Sequence, residues 1–331
     1  MTEIISGIYQ IRLPIPNNPL ENTNVYLVRG DSECLLIDAG WNDEAAFQSF
    51  KKQLTEIGLS GKDISQIIVT HAHRDHYGLA GRLAQLSRAR ISLHYQEINL
   101  LLPRYRNMEE FIHQTDRWFH SHGVPPNELP TAQAALAGMG RSGSHAQPDT
   151  TLKGGETIPA GAFKLKVLWT PGHSPGHICL YEPNKKILFA GDHVLPVITP
   201  NVSLPPQSEL NPLGDFINSL SVVKQLDVSL VLPAHEQIFT DLPARVEQII
   251  QHHKHRNFEI LEAIKAEPRT AYQISNEITW MPELGGARFQ DLAPWDKRMA
   301  VSETLAHLQA MTKDGVVTRS RRDDIYYYRR G

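Results

Sequence analysis

Residues 70–76 read Thr-His-Ala-His-Arg-Asp-His, and they follow directly on the apolar run Gln66-Ile67-Ile68-Val69. The β-branched run predicts a short buried strand, so His71, His73, Asp75 and His76 fall at a strand end. Imidazole and carboxylate are ligands suited to zinc, iron or manganese. Three later stretches repeat the arrangement. His173 stands in TPGHSPGH after FKLKVLWT (163–170), Asp192 follows KKILFAG (185–191), and His235 closes VSLVLPAH (228–235). Strand ends of a layered fold converge in space although their positions lie far apart in the chain. Seven such groups exceed the four ligands of one tetrahedral ion and suit two ions that share a bridge.

Outward from this stretch, strand-like runs dominate both halves of the chain. IISGIYQIRLPI (4–15), NTNVYLVRG (22–30), SECLLIDAG (32–40) and RISLH (90–94) read as strands. Residues 42–57 read as a helix with Asn42 or Asp43 as its N-cap and Gly58 as its stop, and 76–88 read as a second helix. Strand signals stop over 95–150, where a long amphipathic stretch gives way to Pro-, Ala- and Gly-rich sequence. That insertion reads as a lid or pocket wall, or equally as a helical pair packed for structure. They resume at 163–170, HICLYE (177–182), 185–191 and 228–235, with a helix near 212–226. The recurrence predicts a duplicated core of two sheets covered by helices. A long helix over 244–266, two further helices and a probable hairpin (VVTRSRRDDIYYYRR) then give the outline of a winged helix.

The chain has 331 residues with 33 Lys+Arg against 36 Asp+Glu, so its net charge of −3 supplies no strong field for a polyanion or a membrane. An apolar share of 41% with 21% charged residues is ordinary for a globular chain and excludes a disordered one. No run approaches the roughly 18 apolar residues of a membrane span, and the N-terminus lacks a leader layout, so a cytoplasmic protein is expected. The two cysteines, Cys34 and Cys179, lie in apolar surroundings and read as reduced core residues.

The ordered set HxHxDH, PGHxxGH, GDH and PAH, together with Asp38 in LLIDAG, resembles the metallo-β-lactamase fold superfamily over residues 1–240. The resemblance implies an α/β fold, an αββα sandwich with a helical insertion at about 95–150 and a small C-terminal winged-helix domain. The domains would be 1–243, carrying a dinuclear metal site, and 244–331. His71, His73 and His173 would hold one metal and Asp75, His76 and His235 the other, with Asp192 bridging both. The cofactors implied are two divalent ions, zinc first, with manganese or iron also compatible. The layout of the tail is similar to the winged-helix subgroup, which includes an endoribonuclease relative and many bacterial hydrolases.

The activity implied is metal-dependent hydrolysis, with a metal-bound hydroxide cleaving a small ester, lactone or thioester. The alternative is a single-strand endoribonuclease guided by the winged helix. Asp75 would also accept a hydrogen bond from the nucleophile, His193 is a candidate proton donor to the leaving group, and Asp38 would support the ligand loop. An aspartate at 192, where the best-known β-lactamases have cysteine, points towards lactonases and nucleases. His73 stands where the oxygen-reducing diiron relatives have glutamate, which argues against redox use. The tail is unlike the glutathione-gripping domain of glyoxalase II.

His177 reads as a residue that orients its loop by hydrogen bonding. Tyr77 and Tyr105 read as packed aromatics rather than pocket caps, and His113, His120, His122 and His145 as solvated side chains of the insertion. The proline-rich stretch 193–212 is expected to form one rim of the site. From residue 244 onward 14 Lys+Arg stand against 12 Asp+Glu, giving +2. Arg319, Arg321, Arg322, Arg329 and Arg330, interleaved with Tyr326, Tyr327 and Tyr328, form a local strip able to meet RNA phosphates and bases, blunted by Asp323 and Asp324. A small-molecule partner is expected ahead of nucleic acid, with no membrane, and the tail and insertion offer surfaces for a homodimer.

Overall fold

Leu36 and Ile37, Ile67 and Ile68, Leu188 and Phe189, and Val231 and Leu232 are all buried, and the alternation of a strand sends each pair to opposite faces. A strand buried on both faces must lie between two layers, and the architecture follows from that. A computed structural model describes residues 1–30, 33–99, 108–128, 146–206 and 210–331. Its first sheet has seven strands in chain order: β1 (Thr2–Ile5), β2 (Ile8–Pro14), β3 (Asn22–Arg29), β4 (Cys34–Ile37), β5 (Ile64–Ile68), β6 (Arg90–His94) and β7 (Thr150–Leu152). Strands β1 to β4 are antiparallel, and β4 to β7 are parallel. The second sheet takes the order β12-β11-β10-β9-β8, from β8 (Thr157–Ala160), β9 (Phe163–Trp169), β10 (Ile178–Glu182), β11 (Ile187–Gly191) and β12 (Leu230–Pro233).

Three apolar layers hold the sheets. Between them, Ile37 and Ile68 of the first meet Leu180, Phe189 and Leu232 of the second. Outside the first sheet, Leu36 and Ile67 pack on Phe50 and Leu54 of α1 (Glu44–Glu56) and Leu83 of α3 (Ala80–Ser87). Outside the second, Leu188 and Val231 share a cluster with Phe216 of α5 (Pro212–Val223), Ile249 of α6 (Leu242–Ala263) and Leu305 of α8 (Pro294–Lys313). Each such fully buried side chain contributes about 1.5–3 kcal/mol over its exposed state. The result is the αββα sandwich, with two of the parallel pairs, β4–β5 and β11–β12, delivering their C-terminal ends to one edge.

Several boundaries differ from the sequence reading. The helix expected over 76–88 is broken into α2 (Arg74–Tyr77) and α3, where the Leu79 N–H donates to the Gly40 carbonyl instead of to the helix, a close approach that Gly78 permits, since a Cβ there would lie 2.8 Å from the Asn42 nitrogen. In the insertion α4 (Met108–Ser121) buries Trp118 and Phe119 in the cluster that the C-terminal helices share. The tail contains α6, α7 (Ala271–Ser275), α8 and the hairpin β15 (Val317–Arg322) with β16 (Ile325–Arg330), and α6 opens at Leu242, where the Asp241 side chain caps Ala244. A further two-stranded piece, β13 (Thr279–Trp280) with β14 (Ala287–Arg288), gave no signal in the sequence. Among the described residues no helix is long and apolar enough to cross a membrane. Tyr105, His145 and the Ala-rich part of the insertion lie outside the described residues.

Candidate metal centre

The seven residues singled out by their motifs come together at the edge where those strands end. His71 follows β5, His73 caps α2, and Asp75 and His76 lie within its single turn; His173 lies between β9 and β10, Asp192 after β11, and His235 after β12. His71 Nε2 lies 2.8 Å from His73 Nδ1, and His173 Nε2 lies 3.2 and 3.1 Å from those two atoms. Asp192 Oδ2 faces this first group, 3.5 Å from His173 and 3.9 Å from His71. Its other oxygen, Oδ1, faces a second group, 3.5 Å from His76 Nε2 and 3.4 Å from His235 Nε2. Asp75 Oδ2 completes that group at 3.3 Å from His235 and 3.7 Å from His76. One carboxylate thus serves both groups, one oxygen to each.

The outer hydrogen bonds fix which ring atoms point inward. His173 Nδ1 donates to the Asn201 carbonyl at 2.8 Å, His235 Nδ1 to the Asn22 carbonyl at 3.0 Å, and His76 Nδ1 to Asp38 Oδ2 at 2.9 Å. Thr70 Oγ1 gives its own proton to the Asp38 carboxylate, so it accepts from His71 Nδ1 at 3.1 Å. Each of these four rings carries its neutral-state proton on Nδ1 and turns the Nε2 lone pair inward. The buried His76 Nε2, His235 Nε2 and Asp192 Oδ1 have no hydrogen-bond partner. Converging lone pairs and carboxylate oxygens with nothing to donate to them fit divalent cations, and each group keeps its ligand atoms within 4.8 Å of one another.

The electrostatics agree. Burial, the largest influence, and then the crowding of neighbouring imidazoles hold His71 well below the ordinary histidine range, and His73 is brought down to about 3. Burial also acts downward on His76 and His235, but Asp192 and Asp75 outweigh it, raising His76 well above its usual value and His235 to about 10. Burial acts upward on Asp75 and Asp192, yet His76 and His235 hold both carboxyls below the usual range. The second group therefore calls for positive charge, which a metal supplies in place of protons.

The supports are as specific as the ligands. Asp38 ends β4 in the left-handed region, at φ 61°, a strained position for a residue with a Cβ. It is held there by its N–H on the Ile68 carbonyl and by a carboxylate that accepts from the Thr70 N–H at 2.7 Å, the Thr70 hydroxyl and His76. His177 behaves as its loop position suggests: Nδ1 donates to Thr170 Oγ1 at 2.8 Å, and Nε2 accepts from the Asp192 N–H at 3.1 Å. Gly191 allows that approach, since a Cβ would lie 2.6 Å from His177 Nε2. Glu97 escaped the sequence reading. Its buried carboxylate accepts at 2.7 Å from the Ala72 N–H, the Ser174 hydroxyl and the Gly176 N–H, tying the loop of His71 and His73 to the loop of His173. The one available signal was its place just beyond the end of β6, on the same edge as the ligands.

His193, the expected proton donor beside Asp192, has its ring fully buried and edge-on to Phe216 at 5.1 Å, and burial lowers it to about 3. Tyr77 is packed, with its hydroxyl on the Ala146 carbonyl. His113 and His120 are exposed, but His122 is buried, stacked on Tyr326 at 5.0 Å and bonded to the Tyr328 hydroxyl at 3.2 Å. That turns two of the three tyrosines of the β15–β16 hairpin inward. Most of the hairpin's arginines are engaged within the chain: Arg321 on Asp324, Arg329 on Thr318, and Arg330 on Glu262 and the Leu261 carbonyl.

Comparison with known proteins accords with this geometry. A probable metallo-hydrolase of Bacillus subtilis is 25% identical over 335 residues, covering 97% of this chain and 97% of its own. The human acyl-coenzyme A thioesterase MBLAC2 is 29% identical over 229 residues, 65% of this chain and 74% of its own. The crystal structure of a metallo-β-lactamase family protein from Thermus thermophilus superposes with a TM-score of 0.85 at 32% identity, covering 99% of this chain and 100% of that one. The family description of the metallo-β-lactamase superfamily matches residues 18–235, spanning every residue of both groups. The chain belongs to the metallo-β-lactamase superfamily.

Proposed function

We propose that the chain is a dinuclear metal-dependent hydrolase that cleaves the acyl bond of a small ester, lactone or thioester. The observation that carries this reading is the division of Asp192, whose two oxygens face separate groups of nitrogen and oxygen ligands. His71, His73, His173 and Asp192 Oδ2 would hold one ion, and Asp75, His76, His235 and Asp192 Oδ1 the other. Zinc suits such ligands, as do manganese and iron. When bound, the ions supply an acidified water and polarise the scissile carbonyl.

The chain's own residues supply position and a proton acceptor. Asp38, Thr70 and the Asn201 and Asn22 carbonyls keep four imidazoles in the lone-pair-inward tautomer. The Asp75 side chain is 17% exposed against 10% for Asp192, so it is the carboxylate placed to take the proton of the attacking water. Water adds to the carbonyl carbon, the bond to the leaving oxygen or sulfur breaks, and a carboxylic acid and an alcohol or thiol result. The acyl-thioester activity in the name of the human relative supports the acyl class. The inward-turned tyrosines and home-paired arginines of the wing speak for a small molecule over single-stranded RNA.

The test is a panel of aryl and alkyl esters, lactones, acyl thioesters, phosphodiesters and labelled single-stranded RNA on metal-analysed protein, beside Asp75→Ala. Acyl-bond turnover that falls by about a thousandfold or more in the variant is expected. RNA cleavage lost in the variant, or acyl turnover left intact in it, overturns the reading.

A further inference from the structure

The stretch that follows Asp192 carries the acceptor for His173, and residues beyond 244 hold it in place. Residues 195–204 run without helix or strand along the edge of the site. Arg245, in the first turns of α6, donates from Nε to the Leu195 carbonyl at 2.6 Å and from Nη2 to the Val197 and Ile198 carbonyls at 2.7 and 2.8 Å. The Thr199 hydroxyl donates to Glu283 at 2.9 Å, and the Leu204 N–H donates to the Ser302 carbonyl at 3.1 Å. Backbone without a sheet partner must find its hydrogen bonds elsewhere: here the carbonyls of 195, 197 and 198 and the Leu204 N–H find them in the C-terminal helices, and the Val197 and Ile198 N–H groups find them on Glu236.

Asn201 is the point where this support meets the metal centre. Its backbone carbonyl accepts from His173 Nδ1, its Nδ2 donates to Glu303 Oε2 at 3.0 Å, and its Oδ1 accepts from Ser203. Glu303 is a buried carboxylate on α8, and Arg256 of α6 sets its Nε 3.5 Å from Glu303 Oε1. Arg256 is itself fixed, with Nη1 at 2.9 Å from both Glu259 and the Thr279 carbonyl and its guanidinium over the Trp280 ring at 4.5 Å. A rigid cation thus orients a carboxylate, the carboxylate orients an amide, and the amide's own backbone carbonyl orients a candidate ligand.

We propose that the C-terminal segment is a working part of the metal centre: Glu303, through Asn201, positions His173 and thereby sets the affinity of the first site for its ion. Glu303 and Asn201 are positioning residues in this scheme, and the inference rests on the ligand assignment above. Orientation of a ligating imidazole by its other nitrogen typically changes metal affinity by about 10–100-fold. The second site, whose rings are fixed by Asp38 and Asn22, has no part in this path and serves as the internal control.

The test uses the full chain as wild type, Glu303→Ala, Glu303→Gln, Asn201→Ala and the double variant Glu303→Ala/Asn201→Ala. Each is loaded with cobalt(II) and read for ions bound, the affinity of each by chelator competition, the visible ligand-field absorption, and Tm. In the wild type two ions are expected. Glu303→Ala and Asn201→Ala should each weaken one ion by about tenfold or more and leave the other within about threefold. The double variant should be no worse than the stronger single one, since both act on one path. Glu303→Gln keeps an acceptor for the Asn201 amide and should recover most of the loss. Where Glu303→Ala fails to fold, Asn201→Ala reads the same link from its other end. Lowered Tm with both affinities unchanged, or equal weakening of both ions, overturns the proposal. A wild type that binds fewer than two ions overturns the dinuclear reading instead.

Discussion

The two ligand groups are supported in different ways. Asp75, His76 and His235 lean on the first sheet: His76 on Asp38 at the end of β4, and His235 on the carbonyl of Asn22 at the start of β3. Strand pairing fixes the backbone of both supports, as in the bond from the Asp38 N–H to Ile68, and Thr70 holds the Asp38 carboxylate in place. His71, His73 and His173 sit on two loops that no ladder joins. Their spacing rests on side chains from elsewhere in the chain, with Glu97 between the loops and Asn201 behind His173. Residues at the strand ends of the first sheet hold one half of the centre, and Glu97 and Asn201, which belong to no strand, hold much of the other. The halves should therefore fail separately, except where they share a residue.

Asp192 is that shared residue, and its loss is the largest effect expected. Asp192→Ala removes an oxygen from each group and leaves His76 and His235 with Asp75 alone. Both ions should bind more weakly, and turnover should fall by about a thousandfold or more, as expected from several kcal/mol of lost charge stabilisation. Metal titration beside steady-state kinetics checks it; a variant that keeps one ion at wild-type affinity would show the groups to be independent even here.

A matched pair of substitutions sharpens the contrast at the next level. Asp38→Asn leaves an oxygen for Thr70 but turns an amide NH2 towards His76 Nδ1, favouring the tautomer whose Nε2 carries the proton. Glu97→Gln leaves an oxygen for Ser174 and Gly176 but sets an NH2 against the Ala72 N–H. Each should cost about 10–100-fold in affinity for one ion, Asp38→Asn for the second and Glu97→Gln for the first. Glu97→Gln should also lower stability by about 1–3 kcal/mol, because a buried donor loses its acceptor. Chelator competition and thermal unfolding measure both, and an exchange of the two phenotypes would reverse the assignment of supports.

The same contrast explains what could be read before the structure. All seven convergent residues were legible, since each lies in a short motif at the end of an apolar run, and strand ends are where layered folds gather side chains. The two sheets were legible from those runs. Glu97, Asn201 and Glu303 were not, because nothing local separates a carboxylate that bridges two loops from one that faces water. The helix expected over 76–88 failed at Gly78 for a tertiary reason, its press against the Asn42 backbone. The strand alternation of the hairpin put Tyr326 and Tyr328 on one face, yet only packing against His122 made that face the inner one.

The β15–β16 hairpin offers the smallest expected effect and the cleanest way to test where the site ends. Its inner face is structural: Tyr328 is buried, so Tyr328→Ala should cost about 3–5 kcal/mol of stability. Its tip carries Arg321, which lies over the Tyr326 ring at 5.3 Å and pairs with exposed Asp324, and Arg322, which is exposed on the opposite face. Exposed pairs of this kind are worth about 0–1 kcal/mol. Arg321→Glu combined with Arg322→Glu should therefore leave turnover of a small acyl substrate within about twofold and both metal affinities unchanged. The charge reversal acts strongly only on a polyanion, whose affinity falls with each lost phosphate contact and with salt. Turnover of the acyl substrate that collapses in the double reversal would place the hairpin's exposed tip in contact with substrate. Turnover that holds confines the C-terminal segment's influence to its buried side, where Glu303 reaches Asn201.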